Sequence, residues 1–238
     1  DDTSMTSVAI TADRGTFSLA QTTGLTFAAG DGTSDATMTF GGTVANINLA
    51  IATITWTSAS NDDADATITV VTTDDDGDSD TDSMTITVNS VNDAPTTSGG
   101  AATVAEDATH TFTTTASDWG FADVDSGDAM TSVDITSLPG TGTLNYGGNP
   151  VEAGDDIAIA NLGGLTYVPV ANANGAVTFT FKVYDGEALS ASAGTFTLTY
   201  TAVDDAPVNT LGTPAAVNED TANAITGNSI ADVDDTSM

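Results

Sequence analysis

The sequence predicts an all-β protein built from tandem Greek-key β-sandwich modules arranged end to end. Two observations support this prediction. Apolar side chains alternate with polar ones, mostly threonine, in many short runs such as residues 177–183, as they do in half-buried antiparallel strands. The chain also repeats its own motifs, which is typical of module arrays. Glycine, proline, Asn and Asp separate the runs, and about seven short strands per module of roughly 110 residues indicate a two-sheet sandwich.

The repeats occur at two levels. Residues 1–5, Asp-Asp-Thr-Ser-Met, return as residues 234–238, which is 233 positions later. A looser repeat relates Val-Asn-Asp-Ala-Pro at 91–95 to Val-Asp-Asp-Ala-Pro at 203–207. A Glu-Asp pair and then an Asp-Val-Asp motif follow each of these segments, at 106–107 and 123–125 and again at 219–220 and 232–234. Either the true period is 233 residues or related modules share short strings, and both interpretations give a tandem array.

The alternating runs predict most of the strands, and one short run predicts a helix. The predicted strands are Met5–Ile10, Phe17–Leu19, Met38–Phe40, Ile68–Val71, Met84–Val88, Val133–Ile135, Leu165–Val168, Val177–Val183 and Phe196–Tyr200. The apolar residues of Val44–Ala50 are spaced as in a helix.

The repeated prolines place the module boundaries, because proline has no amide hydrogen and cannot occupy a central strand. With Pro95 and Pro207 as boundaries, residues 1–93 form module A without its first strand, and residues 94–205 form module B. Residues 206–238 then supply the first strand and loop of the next module A. An isolated copy of residues 1–93 would expose an unpaired edge. The missing strand would come from the preceding part of one continuous polypeptide, or from a neighbouring subunit by strand complementation.

The charge of the chain narrows the range of partners. Thirty-four acidic residues against two basic ones give a net charge of −32, which excludes nucleic acids and anionic membranes and favours cations. A hydrophobic content of 39% in alternating runs argues against a disordered acidic tail. The chain contains no cysteine, so no disulfide contributes to its stability. No apolar run approaches the roughly 18 residues of a membrane span, so we expect no membrane contact by this segment.

The order of motifs resembles the bacterial cadherin-like tandem domains of giant surface adhesins. The resemblance covers nearly all of module B and residues 206–238, and it rests on short motifs in a fixed order. These are Val-Asn-Asp-Ala-Pro at 91–95, Glu-Asp at 106–107, Asp-Val-Asp at 123–125, Gly-Thr-Leu at 142–144, Leu-Thr-Tyr-Val-Pro at 165–169, Asn-Gly at 174–175 and Tyr-Asp-Gly at 184–186. Module A has Trp56 where module B has Tyr167, and it is similar to a more divergent member of the family.

This resemblance implies Ca²⁺ at the junctions between modules, where six to eight oxygen ligands have to be gathered from several loops. At the A-to-B junction the implied ligands are Asn92, Asp93, Asp123, Asp125, Asp185 and an equivalent of Glu219. At the B-to-A junction they are Glu106, Asp204, Asp205, Asp232, Asp234 and an equivalent of Asp74. The Asp-Arg-Glu motif of animal cadherins is missing from the sequence, which favours one or two ions per junction over three.

Two alternatives to these metal sites remain open. Aspartate favours turns by itself, so the same residues can be turn formers on a solvated surface. The run of aspartates from Asp74 to Asp78, with Asp80 and Asp82, fits a solvated loop as well as it fits a loose metal site.

We interpret the chain as a non-enzymatic, extracellular, bacterial protein. The only histidine, His110, lies in a strand-like run, and the chain has no cysteine nucleophile. The main hypothesis is the repeat unit of a surface or matrix fibre, stiffened by Ca²⁺ and joined head to tail to neighbouring copies. The alternative is an adhesin module that binds glycan, ice or protein, for which Trp119 and Phe121 are the candidate aromatic contacts, although we favour a packed loop for both. The many Ser and Thr residues also permit attached O-linked glycans.

Overall fold

The structure of the chain is a computed structural model that describes residues 4–173, 175–213 and 215–234, with side chains of the first strand described from Ser7 onward. It divides into two compact units, residues 1–92 and 93–238. The predicted turn residue Asn174 lies outside the described residues, as do residues 1–3 and 235–238 of the terminal repeat.

The first unit consists of a five-stranded antiparallel sheet, a two-stranded sheet and one short helix. Its elements are β1 Ser4–Ala12, β2 Thr16–Ser18, β3 Leu25–Ala29, β4 Thr37–Thr43, α1 Val44–Ile51, β5 Thr55–Thr57, β6 Ala66–Asp74 and β7 Ser79–Ile86. The order in the large sheet is β3-β4-β1-β6-β7, and β2 pairs with β5. Alternating residues of β1 and β4, including Val8, Ile10, Met38 and Phe40, are buried and form the core with Phe17 of β2.

The second unit contains a complete two-sheet sandwich. Its strands are β8 Thr96–Thr97, β9 Gly100–Ala105, β10 His110–Thr111, β11 Phe121–Ala122, β12 Ser132–Ser137, β13 Thr143–Tyr146, β14 Asn149–Pro150, β15 Asp156–Ala158, β16 Leu165–Val168, β17 Gly175–Tyr184, β18 Gly194–Thr201, β19 Val208–Thr210 and β20 Ser229–Ala231. One sheet has the order β15-β12-β17-β18-β9 and the other β10-β16-β13-β14. Strand β9 pairs in parallel with β18, while β8 pairs with β11 and β19 with β20.

Aromatic rings fill the core of the second unit. Trp119 lies on a 3-10 helix, Ala116–Trp119, and is fully buried against Phe112, Phe181 and Phe196, with ring centroids 4.9 to 5.5 Å away. Its indole Nε1 donates a hydrogen bond to the carbonyl oxygen of Thr113. These contacts fix the loop between β10 and β11, which leads directly into the Asp-Val-Asp motif.

The predicted all-β fold is confirmed, and so is the short helix. Thr43 caps α1, since its side chain accepts a hydrogen bond from the backbone N–H of Asn46. The predicted strand Met84–Val88 ends earlier, at Ile86. None of the helices in the described ranges is long and apolar enough to cross a membrane.

Candidate metal centre

Three aspartates of the loop between β11 and β12 form a compact acidic group. Asp123, Asp125 and Asp128 each place one carboxylate oxygen within 4.8 Å of the others. The loop takes this form because Asp123 Oδ1 accepts a hydrogen bond from the N–H of Asp125 at 3.0 Å. Asp125 Oδ2 in turn accepts from the N–H of Asp93 at 2.6 Å, which ties the linker to this loop. The remaining oxygen of Asp123, Oδ2, is buried and has no hydrogen-bond partner in the structure.

A further aspartate near this group is Asp185, which follows β17. Asp185 Oδ1 accepts hydrogen bonds from the N–H groups of Glu187 and Ala188, at 2.6 and 2.7 Å. Loss of solvation, and then the charges of Asp123, Asp125 and Asp185, raise the pKa of Asp128 above its ordinary value. The group therefore concentrates negative charge in a small volume.

A second acidic group lies around Asp205 in the linker after β18. Asp234 Oδ2 accepts a hydrogen bond from the N–H of Asp205 at 2.6 Å, and Asp232 Oδ1 accepts one from the N–H of Asp234 at 3.0 Å. Glu106 is only 5% exposed, and its Oε1 accepts a hydrogen bond from the N–H of Val203 at 2.7 Å. These contacts join the end of β9, the linker and the second Asp-Val-Asp motif.

Four other carboxylates lie close enough to Asp205 to act on its charge. Its Oδ2 is buried without a hydrogen-bond partner in the structure. Desolvation, and then the charges of Asp107, Asp234, Glu106 and Asp232, raise the pKa of Asp205.

The two groups are built in the same way. In each, the second aspartate of an Asp-Val-Asp motif accepts the linker N–H at 2.6 Å, and the first accepts the N–H of the second at 3.0 Å. Each group also contains one buried carboxylate oxygen without a partner, on Asp123 in the first and on Asp205 in the second. The repeat seen in the sequence is therefore a repeat of local structure.

The strand directions place the two groups at opposite ends of one sheet. Strands β9 and β18 run in parallel, and Glu106 and the linker with Asp205 follow their last residues. Strand β17 is antiparallel to β18, so Asp185, which follows β17, lies at the other end. Ten residues of β17 span about 33 Å, which sets the approximate separation of the two groups.

The structure brings together most, but not all, of the predicted ligands. Asp204 is exposed and lies between Val203 and Asp205, whose N–H groups bind the second acidic group. Glu219 lies in an exposed loop between β19 and β20, and Asp74 ends β6, where its Oδ1 accepts the N–H of Asp78. Asn92 is the last residue of the first unit.

Two acidic residues near these groups were missed by the sequence reasoning. Asp128 lies outside the Asp-Val-Asp motif, and Asp107 is the second residue of the Glu-Asp pair. The repeated Glu-Asp pair was the sequence feature that could have identified Asp107 as well as Glu106. Asp107 and its counterpart Asp220 both have positive φ angles, of 63° and 61°.

The aromatic residues considered for ligand binding are packed inward. Trp119 has no exposed surface, and Phe121 is partly buried against the core. The interpretation of Trp119 and Phe121 as residues of a packed loop is confirmed.

A match to one family model agrees with the all-β fold. Residues 91–201 match the family model of the cadherin-like domain. No curated protein sequence matches the chain. Among solved structures, protocadherin gamma B7 extracellular cadherin domains 1–4 share 13% identity over 92% of this chain and 50% of theirs, with a TM-score of 0.42. A cis-dimer structure of domains 3–6 of protocadherin gamma B7 shares 14% over 92% of this chain and 52% of that chain, with a TM-score of 0.44.

An endo-fucoidan hydrolase of glycoside hydrolase family 107 shares 19% identity over 80% of this chain and 24% of its own, with a TM-score of 0.27. The chain spans about half the length of the protocadherin fragments that it matches. The fold is all-β, and the region from residue 91 to 201 is similar in sequence to the cadherin-like domain.

Proposed function

We propose that this chain is a structural repeat unit of an extracellular fibre or stalk, made rigid by Ca²⁺ at the junctions between its modules. The observation that carries the proposal is the pair of acidic groups with the same construction, each tied to a linker and each with one buried, unpartnered carboxylate oxygen. A structural module of this kind needs a repeating array and no substrate pocket.

The chemistry of both groups suits calcium. Ca²⁺ is a hard cation that takes six to eight oxygen ligands from carboxylates, carbonyls and water. Asp123 Oδ2 and Asp205 Oδ2 each lack the hydrogen bond that a buried carboxylate oxygen normally has. A bound cation would supply the missing polar interaction. Imidazole and thiolate ligands are missing from both groups, which makes zinc a poor fit.

The ligands proposed for the first junction are Asn92, Asp93, Asp123, Asp125, Asp128, Asp185 and an equivalent of Glu219. Those proposed for the second junction are Glu106, Asp107, Asp204, Asp205, Asp232, Asp234 and an equivalent of Asp74. A bound divalent ion would supply positive charge to carboxylates that otherwise repel one another at short range. It would thereby hold the linker against the loops of the adjoining module.

The wider context belongs to the same proposal. The fibre would be part of a giant surface or matrix protein of a bacterium, with neighbouring copies of the repeat as partners. We assign it no catalytic role. The only histidine, His110, packs edge to face against Phe112 with centroids 4.7 Å apart, which suits a packing function.

Small-angle X-ray scattering of the chain in calcium and in chelator tests the proposal. We expect a larger radius of gyration with a narrower spread of distances in calcium, and a variable, more flexible chain in chelator. The double variant D123N/D205N should lose this response, and D156N, an exposed aspartate of β15 outside both groups, should keep it. Identical scattering curves of the wild type in the two buffers would contradict the proposal.

A further inference from the structure

Residues 206–234 carry apolar side chains in positions that are buried elsewhere in the chain. Residues 99–107 and 212–220 align without a gap on their glycine and Glu-Asp residues, which makes Val217 the counterpart of Val104. The same alignment continues to Ile225, the counterpart of Phe112. Val104 and Phe112 are 5% and 3% exposed, whereas Val217 and Ile225 are each 60% exposed. Val217 and Ile225 also line one open cleft.

The local structure around these residues already matches that of the second unit. The small sheet of β19 and β20 corresponds in sequence and pairing to the small sheet of β8 and β11. No described residue of 206–234 belongs to either hydrophobic core. The segment thus repeats the local structure at the start of the second unit, while its described side chains lie outside both cores.

The first unit has an edge strand that no described strand covers on its outer side. Counted back from the repeated linker, Val88, Ile86 and Met84 correspond to Tyr200, Leu198 and Phe196 of β18. In the second unit β9 covers β18 in parallel, and Phe196 is 3% exposed. In the first unit β7 is an edge strand of the described residues, and Met84 is 61% exposed.

We propose that residues 215–218 of one copy of this chain add as a parallel strand to the outer edge of residues 86–89 in a second copy, which are the last residue of β7 and the three residues that follow it. The pairing of β9 with β18 supplies the register, because Ala102 lies opposite Leu198 and Val104 opposite Tyr200. The corresponding neighbours are Ala215 opposite Ile86 and Val217 opposite Val88. Strand addition of this kind satisfies the backbone groups of an exposed edge and buries alternate side chains.

The charges of the two surfaces are compatible with this pairing. Strand β7 carries Asp80 and Asp82, so an acidic partner would be repelled. Residues 208–218 contain no charged side chain, in a chain with 34 acidic residues. Pro214 precedes the proposed strand, where a proline is tolerated. The contact itself involves none of the proposed calcium ligands, so it can be tested with or without the ion.

Sedimentation velocity over a range of protein concentrations tests the association. We expect species heavier than the 23.7 kDa monomer, with a population that rises with concentration in both calcium and chelator. Val217→Ser removes an apolar side chain from the contact and should weaken association by about tenfold or more. The matched control is Leu211→Ser in the same segment. Leu211 is 80% exposed, and its counterpart Ser98 is also exposed, so this variant should associate like the wild type.

Engineered cysteines test the register, because the chain has no cysteine of its own. Ile86→Cys and Ala215→Cys are made in separate chains and mixed under mild oxidation. We expect a disulfide that joins residues 86 and 215 of different copies, identified by mass spectrometry, and no link to residue 86 from Leu211→Cys.

A monomer at every concentration with no 86–215 link would overturn the proposal. An equal loss of association in the V217S and L211S variants would overturn it as well, because the effect would then not depend on the proposed register. Assembly without a calcium response would support strand addition and contradict the calcium function separately.

Discussion

Replacement of Glu106 separates the structural function of this residue from its proposed ionic function. Its Oε1 accepts the N–H of Val203 at 2.7 Å, and the side chain is 5% exposed. Glu106→Gln keeps an oxygen that can accept this hydrogen bond but removes the negative charge. Glu106→Ala removes both the acceptor and the charge. The two variants should therefore behave alike toward calcium and differently in stability.

The magnitudes follow from the burial and the hydrogen bond. Removal of the acceptor leaves the Val203 N–H without its partner, which costs about 1–3 kcal/mol of unfolding free energy in Glu106→Ala. For a domain of this size that corresponds to a fall in Tm of about 4 °C per kcal/mol. Glu106→Gln should change the metal-free Tm by less than about 2 °C. Loss of one carboxylate ligand should weaken calcium binding on the order of tenfold in both variants.

Isothermal titration with Ca²⁺ and thermal unfolding in chelator measure these two effects. Glu152→Gln is the matched control, because Glu152 is exposed in a turn, belongs to neither acidic group and loses the same charge. Calcium affinity equal to that of the wild type in Glu106→Gln would refute the assignment of Glu106 as a ligand. A metal-free Tm that falls equally in the Gln and Ala variants would refute the argument from the hydrogen bond.

Two further predictions concern stability. Trp119→Ala should lower the unfolding free energy of the second unit by about 3–5 kcal/mol, because it empties a fully buried ring site, and chemical denaturation will measure the loss. A loss below about 1 kcal/mol would show that this loop is not anchored by the indole. Desolvation and neighbouring carboxylates raise the pKa values of Asp128 and Asp205, so folding favours their protonated forms. In chelator, the unfolding free energy should therefore rise as the pH falls from 7 toward 3.8, the ordinary pKa of an aspartate. In calcium the trend should reverse, because protons compete with the ion for the carboxylates. Thermal unfolding at pH 7 and pH 5 in the two buffers checks the direction of both trends. The D128N/D205N variant should lose the rise in stability that the wild type shows in chelator.

The fold could be predicted from the sequence because its strands are half buried. Residues 177–183 alternate strictly, and the structure buries Val177, Phe179, Phe181 and Val183. Strand β7 alternates less clearly, and its predicted segment was displaced toward the C-terminus. The edge strand lacks the burial that makes period two visible, since seven of its eight residues are exposed.

The acidic groups could be predicted only where a motif repeats. Asp123, Asp125, Asp232 and Asp234 were found because Asp-Val-Asp occurs twice. Asp128 has no such signal, and only the fold of the loop brings its carboxylate within 4.8 Å of the other two. Long-range proximity of this kind depends on how a loop closes, which spacing along the chain does not determine.

A crystal structure of the chain grown with calcium, with anomalous difference maps, tests the central claim most directly. The account predicts peaks within about 2.3–2.6 Å of Asp123 Oδ2 and Asp205 Oδ2, the two buried oxygens that have no hydrogen-bond partner in the structure. Maps without a peak at either oxygen, in crystals that contain millimolar calcium, would contradict it.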